Sequence, residues 1–328
     1  MSLKYSVTPE RWALREPFTI ARETMLEVPL VLLTITDDSG RTGCAEAAGV
    51  DYDGETQDSI ASAIECTMAD VSVDTTGDDL ARLLEPGGAR NAIDCALWDL
   101  RAKRRGAPVW KLAGLAEPQP VETAFTIGLG SSADVRRKAA AAARHHLLKL
   151  KVDATSHIDL VRAVRDVAPH VRLIVDANEG WSMATLERVS PLLAAEGVEL
   201  IEQPLAPGAD AVLASFASPV PLCADESCTY RSSLEQVRGL YQAVNIKLDK
   251  AGGLTEALHL ARAARGAGLD VMVGNMCGTS LGMAPALLVA QFARWVDLDG
   301  PLLQTRDRDT PMRFENGMAY PADPGLWG

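Results

Sequence analysis

The run His146-Leu147-Leu148-Lys149-Leu150-Lys151-Val152-Asp153 decides how the chain is read. In a strand, side chains alternate between two faces, so Lys149 and Lys151 point one way while Leu148 and Leu150 point the other. The leucines require a hydrophobic layer. Two lysines on one strand face are usually solvated, since buried lysines are rare. The stretches that follow give these two a different meaning.

Beyond Pro118, short apolar runs alternate with alanine-rich ones. The strand-like runs are 121–127, 147–152, 171–176, 198–202, 220–225, 243–247, 269–274 and 294–298, at intervals of roughly 22 to 27 residues. Helical runs such as 133–144, 158–167, 183–195 and 255–266 lie between them. Eight strands joined by helices predict an α/β fold, a (β/α)7β TIM-type barrel over residues 118–300. The last strand runs into Asp299-Gly300-Pro301 with no long helix after it, so the closing unit is truncated. A doubly wound sheet would need a nucleotide fingerprint after its first strand, and Gly128-Leu129-Gly130-Ser131-Ser132 lacks the third glycine.

The chain before Pro118 is patterned differently. A β-rich run at 28–36, the turn Asp37-Asp38-Ser39-Gly40 and a return through Gly43-Cys44-Ala45-Glu46 predict an antiparallel meander. A helix over 89–105 follows, with Ala92, Ile93, Ala96, Leu97 and Leu100 as its apolar stripe. Strands first and helices after predict an N-terminal α+β capping domain over residues 1–117. Residues 301–328 are expected to return to that cap. The polar loops 19–24 and 49–54, the second holding Tyr52, are its unusual connections.

In parallel barrels, reactive groups project from the C-terminal ends of the strands. Those ends carry Lys151, Asp176, Glu202, Asp225 and Lys247 on the second to sixth strands in order. Three carboxylates at one mouth repel unless a positive charge lies among them. Oxygen donors with no Cys or His suit Mg²⁺ at Asp176, Glu202 and Asp225, one ion per subunit, with Mn²⁺ an acceptable substitute. The second and sixth strands face each other across an eight-stranded ring. Lys151 and Lys247 would therefore approach a bound molecule from opposite sides, one removing a proton and the other returning one. A carbon acid beside a carboxylate needs its enolate charge stabilised by the metal, and that field, with Lys149 beside it, would lower a catalytic lysine's pKa. On the eighth strand, Asp297 and Asp299 share a face and could hold a cation at the far end of the substrate.

The set Lys149-x-Lys151, Asp176-Ala177-Asn178-Glu179, Glu202-Gln203-Pro204, Ala224-Asp225-Glu226-Ser227 and Lys247-x-Asp249 resembles the muconate-lactonising subgroup of the enolase superfamily. That resemblance implies a Lys base working with Mg²⁺. The Asp297-x-Asp299 pair is similar to that of the dipeptide epimerases, where it receives the substrate ammonium. The stretches 90–100 and 245–250 read like the branch acting on L-Ala-D/L-Glu in murein peptide recycling. The resemblance implies an isomerase that epimerises the Glu α-carbon by two-base proton transfer. It puts Arg22 against the substrate's acidic side chain, where a guanidinium suits a carboxylate, and Thr126 at a substrate hydrogen bond. Asn178, Asp249, Asn275, Cys277 and Tyr52 are candidates for supporting or wall positions. The glycine-rich stretch 274–280 holds no Lys or Arg, which argues against a phosphate cradle. Other dipeptides are the nearest alternative substrates. Muconate cycloisomerisation or o-succinylbenzoate synthesis would leave the two aspartates no amine to hold. A barrel that binds a metal carboxylate without turning it over would have lost a lysine or an acid.

Composition narrows the partners. In 328 residues the formal net charge is −12 and hydrophobic residues make up 47%, an ordinary globular balance. The acidity argues against nucleic acid and anionic membrane surfaces and leaves a small dipeptide as the expected partner, with a homo-oligomer compatible. The charged, Pro-containing N-terminal stretch and the lack of a spanning segment predict a cytoplasmic protein. Six cysteines without C-x-x-C spacing fit thiols in a reducing compartment.

Overall fold

The computed structural model of the protein describes residues 3–20 and 23–328. In the cap, β1 (Lys4–Thr19), β2 (Thr24–Thr36) and β3 (Thr42–Ala47) form an antiparallel sheet in that order. Alternation along β2 buries Val31, Leu33 and Ile35 on one face. That face packs on the apolar stripe of α3 (Gly88–Arg105), which includes Ala92, Ile93, Ala96, Leu97 and Leu100. The approach is close enough that a Cβ on Gly43 of β3 would lie 2.2 Å from the Ala96 carbonyl oxygen. Helices α1 (Gln57–Thr67) and α2 (Gly77–Leu83), each with a Thr capping box, and the short α4 (Val109–Leu112) complete the cap.

The expected strand at 121–127 is divided. β4 (Val121–Glu122) leaves the barrel, and only β5 (Phe125–Ile127) belongs to it. The break falls at Thr123, whose N–H donates to Gly317 O at 2.8 Å and whose hydroxyl accepts from Leu298 N at 2.8 Å. The parallel sheet continues through β6 (Leu147–Lys151), β7 (Arg172–Asp176), β8 (Val198–Glu202), β9 (Leu222–Ala224), β10 (Ala243–Ile246), β11 (Asp270–Val273) and β12 (Trp295–Val296). Ala124 N donates to Val296 O at 2.8 Å, joining the last strand to the first and closing the ring. Around it lie α5 (Ser132–Ala141), α6 (Ile158–Val167), α7 (Met183–Ala195), α8 (Leu234–Val237), α9 (Leu248–Ala251), α10 (Leu254–Gly266) and α11 (Ser280–Ala290). The single turn α12 (Gly300–Leu303) follows the last barrel strand. β13 (Phe314–Glu315) and β14 (Met318–Ala319) form the hairpin that pairs with β4, and the terminal Gly328 N donates to Asp99 Oδ1 of α3 at 2.9 Å.

The barrel interior is built in layers. Its lower layer is an apolar plug of Ala124, Leu147, Ile174, Leu200, Cys223, Ala243, Met272 and Trp295, one residue from each strand or its flank. Two residues further along each strand, the same face carries Thr126, Lys149, Asp176, Glu202, Asp225, Asn245, Gly274 and Asp297. Strand periodicity therefore stacks a polar layer directly on a dry one. Lys151, Asn178, Lys247 and Asp299 come two residues later again, at the mouth.

Candidate active site

Lys149, Lys151 and Lys247 line one cavity of about 360 Å³, together with Thr126, Asn178, Asn275, Cys277, Asp297, Asp299 and Tyr52. The cap supplies an apolar wall that includes Phe18, Ile20, Met25, Val28 and Pro29. Lys151 on β6 and Lys247 just past β10 stand on opposite sides of the ring, with three strands between them either way. The predicted Arg22 lies outside the described residues.

The acids lie beneath the amines, fully buried. Lys149 Nζ sits 2.7 Å from Glu202, 3.1 Å from Asp176 and 3.1 Å from Asp297. Lys151 Nζ donates to Asp176 Oδ2 at 2.6 Å and Asn178 Oδ1 at 3.0 Å, and Lys247 Nζ to Asp225 Oδ2 at 2.7 Å. Burial alone would push Asp176 up, yet Lys151 and Lys149 hold it below the usual carboxylate range. Burial is likewise overcome at Asp225 by Lys247 and Lys250. Glu202 goes the other way, pushed up to about 8 by burial and by Asp176 beside it. Burial would depress the Lys247 ammonium, but Asp225 raises it. The lowered lysine pKa expected from a metal's field is therefore not a property of the polypeptide alone.

The contacts add detail to several expected roles. Thr126 lines the cavity, where its hydroxyl donates to Asp297 Oδ1 at 3.1 Å and its N–H to Asp299 Oδ2 at 2.6 Å. It holds the aspartate pair. Burial and the neighbouring Asp297 push Asp299 up to about 8. Asn275 Nδ2 donates to Asp297 O at 2.6 Å and its Oδ1 accepts from Cys277 N at 2.8 Å, in a turn where Cys277 has φ +63°. The Cys277 thiol is pushed up to about 12 by burial and Asp299, so it is a protonated wall residue. Asp249 stands apart at the junction of cap and barrel, accepting from Gly49 N at 3.0 Å and Asn91 Nδ2 at 3.2 Å.

Sequence reasoning gave no role to four buried residues. The Lys250 ammonium donates to Asp225 Oδ1, to Cys228 O at 3.1 Å and to Asn245 O at 2.9 Å. Gln203 Oε1 accepts from Asp225 N at 2.7 Å, and Asn245 Nδ2 donates to Glu202 Oε1 at 2.7 Å. Gly274 makes room for that amide, since a Cβ there would lie 2.8 Å from it. Glu226, within reach of Asn178 at 3.5 Å, is pushed up to about 7 by burial and Asp225. Lys250 had a sequence signal, three residues after Lys247; Gln203 and Asn245 lie inside the motifs that carry the resemblance, but the pattern assigned them no contact.

Among the described residues, no three His, Cys, Asp or Glu side chains already converge as a metal site. The expected ligands instead meet ammonium groups, which take the oxygens an ion would use. The donor set still fits a hard divalent cation. Asp176, Glu202 and Asp225 end neighbouring strands with no Cys or His among them, and Glu202 Oε2 has the Lys149 charge at 2.7 Å but no directed hydrogen bond.

Comparison with known proteins bears on the whole chain. The family profile described as "Mandelate racemase / muconate lactonizing enzyme, N-terminal domain" matches residues 2–114, and "Enolase C-terminal domain-like" matches 133–326. An L-Ala-D/L-Glu epimerase of Escherichia coli (strain K12) is 39% identical over 313 residues, 95% of this chain and 97% of the relative. An N-acetyl-D-glutamate racemase of Pseudoalteromonas sp. is 44% identical over 250 residues, 76% of this chain and 79% of the relative. Among solved structures, an enolase family member from Agrobacterium tumefaciens with homology to dipeptide epimerases, holding sodium and L-Ala-L-Glu, superposes with a TM-score of 0.96. It is 44% identical and covers 99% of this chain and 100% of its own. A dipeptide epimerase from Methylococcus capsulatus, complexed with Mg and L-Arg-D-Lys, has a TM-score of 0.92 at 27% identity over 100% of this chain and 99% of its own.

Proposed function

The chain belongs to the mandelate racemase/muconate lactonizing enzyme family of the enolase superfamily, and from that premise we propose that it is a dipeptide epimerase inverting the Glu α-carbon of L-Ala-D/L-Glu. Turnover of murein peptides would supply that substrate. The carrying observation is that Lys151 and Lys247, from opposite sides of the ring, line one cavity with Asp297 and Asp299.

The neutral amine of one lysine takes the α-proton from one face of the carbon, and the ammonium of the other returns a proton to the opposite face. The two lysines exchange protonation states, and solvent resets them. Asp176, Glu202 and Asp225 would hold Mg²⁺, which when bound supplies the positive charge that makes the carbon acidic. Lys149 adds a fixed charge where the substrate carboxylate would lie. Asp297 and Asp299, set by Thr126, receive the ammonium end. Arg22 of the cap loop would meet the Glu side chain.

A second substrate class has specific support: the relative named N-acetyl-D-glutamate racemase at 44% identity, together with an Asp297 already paired to Lys149 at 3.1 Å. One experiment weighs both. L-Ala-D-Glu, L-Ala-L-Glu and N-acetyl-D-glutamate are incubated with the protein and Mg²⁺ in D₂O, and the Glu α-proton is followed by NMR. Loss of that proton from both dipeptide diastereomers, at a kcat/KM above that for the N-acetyl compound and stopped by EDTA, supports the proposal. The reverse preference moves the assignment to N-acyl-glutamate. No exchange with any of the three removes the lysines from the role given them.

A further inference from the structure

We infer that Asp249 is a positioning residue that ties the cap loop 48–55 to the strand end carrying Lys247, and that this tie holds the Tyr52 wall of the cavity against substrate. Asp249 lies two residues past Lys247, in α9. Its Oδ1 accepts from Gly49 N at 3.0 Å and from Asn91 Nδ2 of α3 at 3.2 Å. One carboxylate oxygen thus joins the barrel, the loop and the cap helix.

The loop is built to be held at that point. Gly49 has φ +81°, and a Cβ on it would lie 2.4 Å from Ile60 Cδ1, so its backbone comes to Asp249 as only glycine allows. Ala48, Gly49, Asp51 and Tyr52 all line the cavity with Lys247. Glu55 closes the loop from the other side, accepting from Val50 N at 2.8 Å and Gly88 N at 3.0 Å.

Docking of cap on barrel does not depend on this tie. Arg90 Nη2 donates to Ala251 O at 2.6 Å, Asp94 Oδ2 accepts from Thr255 N at 2.8 Å, and Trp98 Nε1 donates to Thr255 Oγ1 at 2.9 Å. Removing the Asp249 carboxylate therefore frees the loop and leaves α3 seated. A role in docking alone, or in steering Lys247, would have different consequences.

The kinetic half of this inference rests on the proposed dipeptide reaction; the structural half does not. In Asp249→Ala, KM for L-Ala-L-Glu should rise at least tenfold while kcat falls less than threefold. Asp249→Asn keeps the accepting oxygen and should stay within threefold of the parent in both. Hydrogen exchange on the substrate-free full chain should show the Gly49 amide at least tenfold faster in Asp249→Ala, with α3 and α10 unchanged. Trp98→Phe, which cuts a docking bond only, should leave KM and Gly49 exchange as they were. A fall in kcat at constant KM, or parental Gly49 protection in Asp249→Ala, overturns the inference. Should Asp249→Ala fail to fold, Asp249→Ser also removes the carboxylate, and parental kinetics with parental Gly49 exchange there overturn it equally. A chain inactive on dipeptides that still loses Gly49 protection would instead count against the proposed reaction.

Discussion

Lys149 carries an ammonium that is 2% exposed among three carboxylates, and it sets the terms for its neighbours. Burial would depress it, but Glu202, Asp176 and Asp297 hold it well above the usual lysine range, so it keeps its proton. In the proposed reaction, proton transfer belongs to Lys151 and Lys247, which reach the cavity from opposite sides. Each is expected to serve one configuration of the α-carbon. Lys151→Ala should stop interconversion by about 10³-fold, the usual scale for losing a positioned acid–base group, yet still exchange the α-proton of one diastereomer in D₂O; Lys247→Ala should exchange the other. Loss of exchange from the same diastereomer in both variants would contradict a two-sided arrangement. Asp249 makes a prediction about pH. Burial, with Glu55 and Glu46 nearby, pushes it from 3.8 up to about 7, so the folded chain binds that proton more tightly than the unfolded one. The group costs nothing below about pH 4 and removes stability as pH rises toward 7, where the cost levels off. The gap in thermal midpoint between Asp249→Asn and the parent should therefore be small at pH 4.5 and widen to a plateau near pH 8. A constant gap contradicts it.

At the scale of elements, what was legible followed period. The runs 147–152, 171–176 and 198–202 read as strands because they are short β-branched or leucine-rich stretches between alanine-rich ones, and the two-residue period of a strand puts Lys149, Asp176 and Glu202 on one interior face. α6 and α7 were legible from their helical spacing. The division of 121–127 was not, because it depends on Gly317 reaching Thr123 from nearly two hundred residues away. The contacts of Gln203 and Asn245 were hidden for a similar reason: their value lies in which buried acid they touch, and spacing carries no such information. The C-terminal segment shows how one element closes the molecule. Trp327 is 4% exposed, and its indole N–H donates to Cys95 O of α3 at 3.1 Å. Trp327→Ala should cost about 3 kcal/mol in denaturant unfolding, the scale of a buried aromatic truncation. Because this side chain does not line the cavity, kcat/KM should stay within threefold. A large kinetic loss without a stability loss would mean that the tail shapes the site.

Across the whole molecule, the upper barrel poses one electrostatic problem. Among the described residues, six carboxyls, Asp176, Glu202, Asp225, Glu226, Asp297 and Asp299, are buried there with four amines, Lys149, Lys151, Lys247 and Lys250. Fully ionised, the cluster would be short of two positive charges, and an uncompensated buried charge is expensive. The polypeptide alone can relieve this by keeping protons, as the upward shifts of Glu202 and Asp299 to about 8 indicate. A divalent cation relieves it without them. The lower plug, one apolar residue from each strand or its flank, gives the layer above a rigid floor, so relief should appear as stability of the whole barrel. Mg²⁺ at about a hundred times its Kd would add about 2.7 kcal/mol. For a chain of this size, that is a rise of about 4 °C in the unfolding midpoint. Differential scanning fluorimetry without substrate reads this directly, with choline chloride at matched ionic strength as the blank. Asp225→Asn should remove most of the rise. If parent and variant respond alike, the ion binds elsewhere, and the buried acids are answered by their lysines and their own protons.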